Sequence, residues 1–283
     1  MVPIAQSYVS SIPFNRRCSV TLQVRRLVPL FLLPVSLLPY SVMNQYFLQS
    51  PVIIVIPTYN ERENLEPLIS AIFDLGLNLR VVVVDDDSAD GTGELANQLA
   101  QQFKSQIHVI HRKGKKGRGT AGIVGLKYAL TQDVSYIFEM DADFSHPPRF
   151  ISDFLTHIRE CDIVVGSRYI SGGKFIAPFS KILLSRLINI LNRFLLKLDI
   201  KDTSGGYKCY RKEVLEALDL NSLISNGYSI GAEILYKSHL LGFKIKEIPI
   251  EFRERQRGQT KSSLKIKFEY LISIFRLRKV HKL

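Results

Sequence analysis

From residue 51 to residue 165, unbroken apolar runs alternate with segments whose apolar residues recur at helical spacing. Residues 52–56 are a continuous run of Val and Ile. A strand with no polar alternation has to be covered on both faces, so this run reads as a central strand of a parallel sheet. In residues 61–75, Leu65, Leu68, Ile69, Ile72 and Phe73 fall three or four positions apart, the spacing of one helix face. The same reasoning predicts strands over 80–84, 107–110, 135–140 and 162–165, and helices over 92–103 and 120–130. Strands alternating with helices make an α/β fold with a mostly parallel central sheet and helices on both faces. Residues 226–250 add a further helix and strand, with Glu233 inside the helix.

The ends of the chain follow other patterns. Residues 1–26 carry Arg16, Arg17, Arg25 and Arg26 and no acid, and residues 27–43 are apolar but interrupted by Pro29, Pro34 and Pro39. A membrane-crossing helix needs ~20 apolar residues, and each proline would disrupt it. A signal-like apolar core and initiation at Met43 are both open readings. Under either, residues 1–50 are expected to be an extension, poorly ordered or non-native, outside the folded domain over 51–262. Residues 180–198 set Leu184, Leu187, Ile188, Leu191 and Leu195 on one side, with Lys181, Ser185, Asn189 and Arg193 elsewhere. Residues 263–283 form a basic amphipathic tail with Leu264, Phe268, Leu271, Ile272 and Phe275 at helical spacing. Both stretches are expected to be amphipathic helices lying on a membrane surface.

Charge sharpens this picture. The chain has 38 Lys and Arg against 26 Asp and Glu, a net +12, which calls for an anionic partner. Nucleic acid is disfavoured: there is no helix-turn-helix, RNP-like or metal-finger signal, and the basic residues accompany apolar helices. Cys18, Cys161 and Cys209 are scattered and show no C-x-x-C, which argues against a disulfide framework and a zinc site.

In open α/β sheets ligands bind beyond the carboxyl ends of the strands. Those ends here carry Pro57 to Glu61, Asp85 to Ser88, and Asp141-Ala142-Asp143. Residues i and i+2 of an extended segment share a side, so Asp141 and Asp143 repel unless a cation lies between them. Two carboxylates, with the Ser145 hydroxyl two residues on, suit Mg²⁺ held together with substrate phosphates, and the lack of soft ligands disfavours Zn, Cu and Fe–S. Asp86 could accept hydrogen bonds from a base or ribose, or simply serve its turn. A dinucleotide fingerprint, G-x-G-x-x-G, occurs at Gly117 to Gly122, but six residues separate it from the preceding strand, where it should follow directly.

Six stretches in order, IPTYNERENL, VVVVDDDSADGT, MDADFSHPP, VGSRYISGG, DTSGGYKCYRK and FRERQRGQTK, resemble the family 2 inverting glycosyltransferases with a GT-A nucleotide-diphospho-sugar transferase fold. Within that family they look like polyprenol-phosphate (dolichol-phosphate) mannose synthases. The resemblance implies a catalytic domain over 51–262, GDP-mannose as donor, a polyprenyl or dolichyl phosphate as acceptor, and Mg²⁺ or Mn²⁺. It implies that Pro57, Tyr59, Glu61, Val84 and Asp86 hold the nucleotide. Asp141, Ala142 and Asp143 would hold diphosphate and metal, with Ser145 as a third metal ligand; archaeal-type members carry Gln at that position. The cations Arg168, Lys181, Arg255 and Lys261 would bind phosphates, and Asp141, Asp143 and Arg168 would be catalytic. The expected reaction is direct displacement giving a β-linked mannosyl phosphate lipid. A phosphate acceptor is already anionic, so positioning and electrostatics would do most of the work. A UDP-glucose-dependent glucosyltransferase and, more distantly, a sugar nucleotidylyltransferase are the rival enzymes. A lipid acceptor places the protein at a membrane, peripherally on the cytoplasmic face (the endoplasmic reticulum in a eukaryote), with small membrane subunits as a further route to anchoring.

Overall fold

The computed structural model describes residues 51–114, 117–225, 227–254 and 264–280. The expected extension over 1–50, and with it Arg255 and Lys261, lie outside the described residues.

The first half of the chain alternates as its apolar pattern predicts. β1 (Val52–Thr58) is followed by α1 (Arg62–Phe73), β2 (Leu79–Asp85), α2 (Thr92–Gln102), β3 (Ile107–His111), α3 (Arg118–Leu130) and β4 (Tyr136–Glu139). Then come α4 (Ile151–His157), β5 (Ile163–Ser167), β6 (Lys174–Ile176) and α5 (Phe179–Leu196). The chain continues through β7 (Lys208–Arg211), α6 (Lys212–Ala217), α7 (Ile230–Leu240), β8 (Ile245–Pro249), β9 (Glu251–Arg253) and α8 (Leu264–Val280).

Seven strands form one sheet in the order β3-β2-β1-β4-β7-β5-β8. All neighbours are parallel except β7, which runs antiparallel between β4 and β5. β6 and β9 pair in a separate two-stranded parallel ribbon. β1 and β2 are buried along almost their whole length because helices cover both sheet faces. On one face α1, α2 and α4 pack over Ile54, Ile56 and Val83; on the other α3, α6, α7 and α8 pack over Ile53, Val55 and Val82. Of the α1 face read from the sequence, Leu65, Leu68, Ile69 and Ile72 are fully buried and Phe73 is half-buried. Each fully buried side chain contributes roughly 1.5–3 kcal/mol through removal from water.

α3 approaches the sheet closely on a row of glycines. A β-carbon on Gly125 would lie 2.3 Å from Val55 Cγ1, and one on Gly119 would lie 1.9 Å from the Gly227 carbonyl oxygen. Of the G-x-G-x-x-G string, Gly119 admits the Gly227 backbone and Gly122 lies against Glu139 and Pro57 at the sheet end, while a β-carbon on Gly117 would meet nothing within 4 Å. The helix starts at Arg118, one residue after Gly117, two residues earlier than its apolar pattern suggests.

Two helices divide their faces in a way that their apolar spacing alone does not give. α5 buries Asn189, Asn192, Leu195 and Leu196, while Leu187, on the apolar side read from the sequence, is exposed. Both asparagines have polar partners waiting: Asn189 Oδ1 accepts from Thr203 N–H at 3.0 Å and Ser204 N–H at 3.1 Å, and Asn192 Nδ2 donates to Tyr270 Oη at 2.6 Å. In α8 the buried residues are Tyr270, Ile274 and Leu277, whereas Ile272 and Phe275, expected among its apolar face, are exposed. The described part of the tail packs on α5 and on the core. Among the described residues no helix is long and apolar enough to cross a membrane.

Candidate active site

The loops after β1, β2 and β4 converge at one end of the sheet. Each contains a non-glycine residue in the left-handed region: Asn60, Asp87 and Phe144, with φ of 52°, 62° and 60°. For a bulky Phe this is a rare and costly conformation. It is held by the loop's own hydrogen bonds: Ser145 donates to Asp143 Oδ1 through both its N–H (3.1 Å) and its hydroxyl (2.6 Å). His146 Nδ1 accepts the Asp141 N–H at 3.0 Å, which leaves its proton on Nε2. Burial pushes the His146 pKa well below its ordinary value despite the pull of Asp141 and Asp143, so the ring is neutral.

Asp141, Asp143 and Ser145 line one cavity of about 290 Å³, together with Arg118, Arg168, Lys181 and Lys208. The same cavity thus holds Asp141, Asp143 and Glu254 together with four basic side chains. Among the described residues no three His, Cys, Asp or Glu side chains are grouped to hold a metal by themselves. Two carboxylates suit a hard cation that takes its remaining ligands from water and substrate phosphate, so the donor set fits Mg²⁺ or Mn²⁺ and not a closed protein cage. The Ser145 hydroxyl, expected as a third ligand, lines the cavity and donates to Asp143 Oδ1 at 2.6 Å.

The residues expected at the nucleotide lie together on β1, β2 and their loops. Pro57 pairs with Val84 across the sheet. Glu61 is buried and accepts from Asn64 Nδ2 at 2.9 Å, while its N–H donates to Thr92 Oγ1. Tyr59 stands half-buried beside them. Asp86 is buried, with Arg112 Nη1 at 2.7 Å from one oxygen and the Gly117 N–H at 2.7 Å from the other. This carboxylate thus ties the α3 entry loop to β2. Ala142 is buried between the two acids of its motif.

Arg168 is positioned in a way that the sequence did not disclose. It is almost fully buried, and its Nε and Nη2 each donate to Asp202 at 2.7 Å in a two-pronged pair. Asp202 also accepts the Arg168 N–H at 3.0 Å. The rings of Tyr169, Phe175 and Phe252 surround the guanidinium carbon at 4.7–5.2 Å. Burial disfavours both charges, but the pair outweighs it: the Asp202 pKa is lowered and the Arg168 pKa raised. Arg168 is therefore a fixed cation in the cavity wall whose Nε and Nη2 are already engaged by Asp202. Lys181, at the start of α5, is ion-paired with Glu254 and lines the same cavity.

Other residues were not singled out from sequence. Asn189 and Asn192 of α5 pin the loop 202–206, in which Asp202 lies. Lys208 is completely buried, donates to the Gly205 carbonyl, and stands opposite Glu139 in the β4–β7 pair. A signal for Lys208 did exist: it lies inside DTSGGYKCYRK, but in a run not read as a strand. Glu233, singled out, is structural: it accepts the Ile224 and Ser225 N–H groups at 3.0 and 2.7 Å and pairs with Lys237 at 3.1 Å.

Comparison with known proteins agrees with this geometry. The family model described as glycosyl transferase family 2 matches residues 53–219. The chain is 40% identical over 213 residues to a polyprenol monophosphomannose synthase of Mycolicibacterium smegmatis, covering 75% of this chain and 80% of that protein. It is 38% identical over 226 residues to an undecaprenyl-phosphate mannosyltransferase of Micrococcus luteus, covering 80% and 93%. To a dolichol-phosphate mannosyltransferase of Pyrococcus furiosus it is 43% identical over 232 residues, covering 80% and 63%. Among solved structures, glucosyl-3-phosphoglycerate synthase of Mycobacterium tuberculosis with Mn²⁺, UDP and glucosyl-3-phosphoglycerate superposes with a TM-score of 0.62 at 17% identity, covering 82% and 81%. That likeness is one of fold, and it bears out the α/β architecture with its mostly parallel sheet. The six ordered motifs and the sheet they decorate lead to the same place: this chain belongs to glycosyl transferase family 2.

Proposed function

We propose that the protein transfers mannose from GDP-mannose to a polyprenyl phosphate, with inversion, giving a β-linked polyprenyl phosphate mannose. One observation carries the reading: Asp141 and Asp143 share a single cavity with Arg118, Arg168, Lys181 and Lys208. A sugar-nucleotide diphosphate and a phosphate acceptor are both anions, and a cavity with cations opposite paired acids can hold the two at once. The names of the relatives supply mannose and the polyprenyl phosphate.

Asp141 and Asp143 would hold a divalent cation, Mg²⁺ or Mn²⁺, which when bound offsets negative charge on the departing diphosphate. Pro57, Tyr59, Glu61, Val84 and Asp86 would form the nucleotide end of the site. Arg168, immobilised by Asp202 and three rings, presents a fixed positive charge that needs no reorganisation during reaction. The acceptor phosphate carries its own negative charge, so no side chain has to remove a proton from it. The task of the chain is to hold two anions in line.

The outer surface beside the cavity suits a lipid. On α5, Phe179, Leu183, Leu187, Ile190 and Phe194 are 57–77% exposed. At 100° per residue these positions fall within about an 80° arc, opposite the buried Asn189 and Asn192. Arg186, Arg193 and Lys197 are exposed along one edge of that stripe, and Ile272, Phe275, Arg276 and Lys279 are exposed on the adjoining α8. An apolar stripe edged by cations fits the headgroup region of an anionic bilayer. Lys181, Leu184, Ser185 and Ile188 of the same helix line the cavity, so an acceptor chain would enter beside the bilayer. The decisive experiment is donor competition: radiolabelled GDP-mannose against UDP-glucose with a short polyprenyl phosphate and Mg²⁺ or Mn²⁺. Label is expected in lipid from GDP-mannose; transfer from UDP-glucose instead would overturn the donor.

A further inference from the structure

We propose that Arg118 makes cation binding at Asp141 depend on the diphosphate of the donor. This rests on the reading of Asp141 and Asp143 as holders of a divalent cation. Arg118 is the first residue of α3, and its side chain is one-fifth exposed. Its Nη1 donates to Glu139 Oε1 at 3.0 Å and its Nε donates to Asp141 Oδ1. Glu139 and Asp141 are two residues apart at the end of β4, so one guanidinium spans both acids.

The space for that guanidinium is built in. A β-carbon on Gly206 would lie 2.6 Å from Arg118 Nη2, so the loop 202–206 carries no side chain where the guanidinium sits. Glu139, in turn, stands opposite the buried Lys208 in the β4–β7 pair, so a second cation lies near the acid that Arg118 bonds. The row of acids ending in Asp141 is thus partly neutralised by the protein itself before any metal arrives.

Two consequences follow from charge. A carboxylate oxygen already bonded to a guanidinium is a poorer metal ligand, and a dication on the same carboxylate is repelled by the cation beside it. Metal alone should therefore bind weakly. A diphosphate entering the cavity adds negative charge facing both cations and converts their repulsion into a shared attraction. Arg118 is a positioning residue in this scheme: it acts through Asp141 and through the charge of the cavity.

The test is Mn²⁺ binding by electron paramagnetic resonance, with no turnover involved. Wild type, Arg118→Met and Arg118→Lys are titrated with Mn²⁺ alone, with GDP and with UDP, after circular dichroism has confirmed folding. Arg118→Met should bind Mn²⁺ alone on the order of tenfold more tightly than wild type, and the diphosphates should enhance its affinity less. Arg118→Lys keeps the charge but cannot span Glu139 and Asp141, so its affinity should fall between the two; it decides the matter if the methionine variant does not fold. Folded variants that bind Mn²⁺ alone no more tightly than wild type would overturn the proposal and leave the metal reading standing. Failure of every protein to bind Mn²⁺ with either diphosphate would instead remove the metal reading, and this proposal with it.

Discussion

The pair formed by Arg168 and Asp202 offers the sharpest test of how the site is held. Asp202 is fully buried and accepts three hydrogen bonds from Arg168, two at 2.7 Å and one at 3.0 Å. Asp202→Asn keeps the shape but removes the charge, and turns an N–H₂ group toward a guanidinium that has only donors. Breaking one side of a buried ion pair costs about 3–5 kcal/mol, because the surviving charge stays buried and uncompensated. For a folded body of about 150–250 residues each kcal/mol shifts Tm by about 2–4 °C, so the variant should melt about 6–20 °C lower. The sign with pH follows from the lowered Asp202 pKa: its contribution is present above the ordinary carboxylate range and lost as pH falls through the native value. Measurements near neutrality therefore see the whole effect. The assay is thermal and urea unfolding of wild type, Asp202→Asn, Arg168→Met and the double variant. The double variant should be less destabilised than the sum of the single ones, with a coupling of about 2 kcal/mol or more. Additive effects, or an Asp202→Asn protein within about 1 kcal/mol of wild type, would refute the claim that this pair fixes Arg168.

Other outcomes follow from the same geometry. Burial lowers the Lys208 pKa to about 8 against the pull of Glu139; since this lies below the unfolded value, the group favours folding increasingly as pH rises from about 8 to about 10. The cavity loses a cation over that window, so a pH–rate profile should show transfer declining above about pH 8, and Lys208→Arg should move that decline upward. Gly119→Ala would drive a β-carbon to within 1.9 Å of a backbone oxygen, and should cost at least about 1–3 kcal/mol in urea unfolding; an unchanged midpoint would contradict the close approach of α3. Replacing Leu187 and Phe194 together by Ser should abolish flotation with anionic vesicles while leaving transfer to a short, water-soluble acceptor intact; undiminished flotation would remove α5 from the membrane reading.

Much of the fold was legible because the strands carry their burial in their composition. A run such as residues 52–56 cannot be half-exposed, and the acids that follow β1, β2 and β4 fall at the sheet end where such folds bind ligands. The legible part ends where partners come from distant segments. Asn189 and Asn192 look like solvent-facing residues on an amphipathic helix, and only the folded loop at Thr203 and Ser204 and the Tyr270 hydroxyl show why they point inward. With the asparagines turned inward, Phe179, Leu187 and Phe194 are left on the exposed side of α5. Arg168 was placed at the crevice by its strand, yet its partner lies 34 residues away and no local pattern announces it. β7 escaped notice because its residues, Lys208 to Arg211, show no clean apolar alternation; it is stabilised by pairing with strands on both sides.

The central claim is that Asp141 and Asp143 recruit a divalent cation so that mannose can pass from a nucleotide diphosphate to a lipid phosphate. It is tested most directly by following labelled mannose from GDP-mannose into polyprenyl phosphate, with wild type and Asp143→Asn, in the presence of Mg²⁺ and after chelation. Labelled lipid should form only with wild type and metal. Undiminished transfer by Asp143→Asn, or by chelated wild type, would contradict the account.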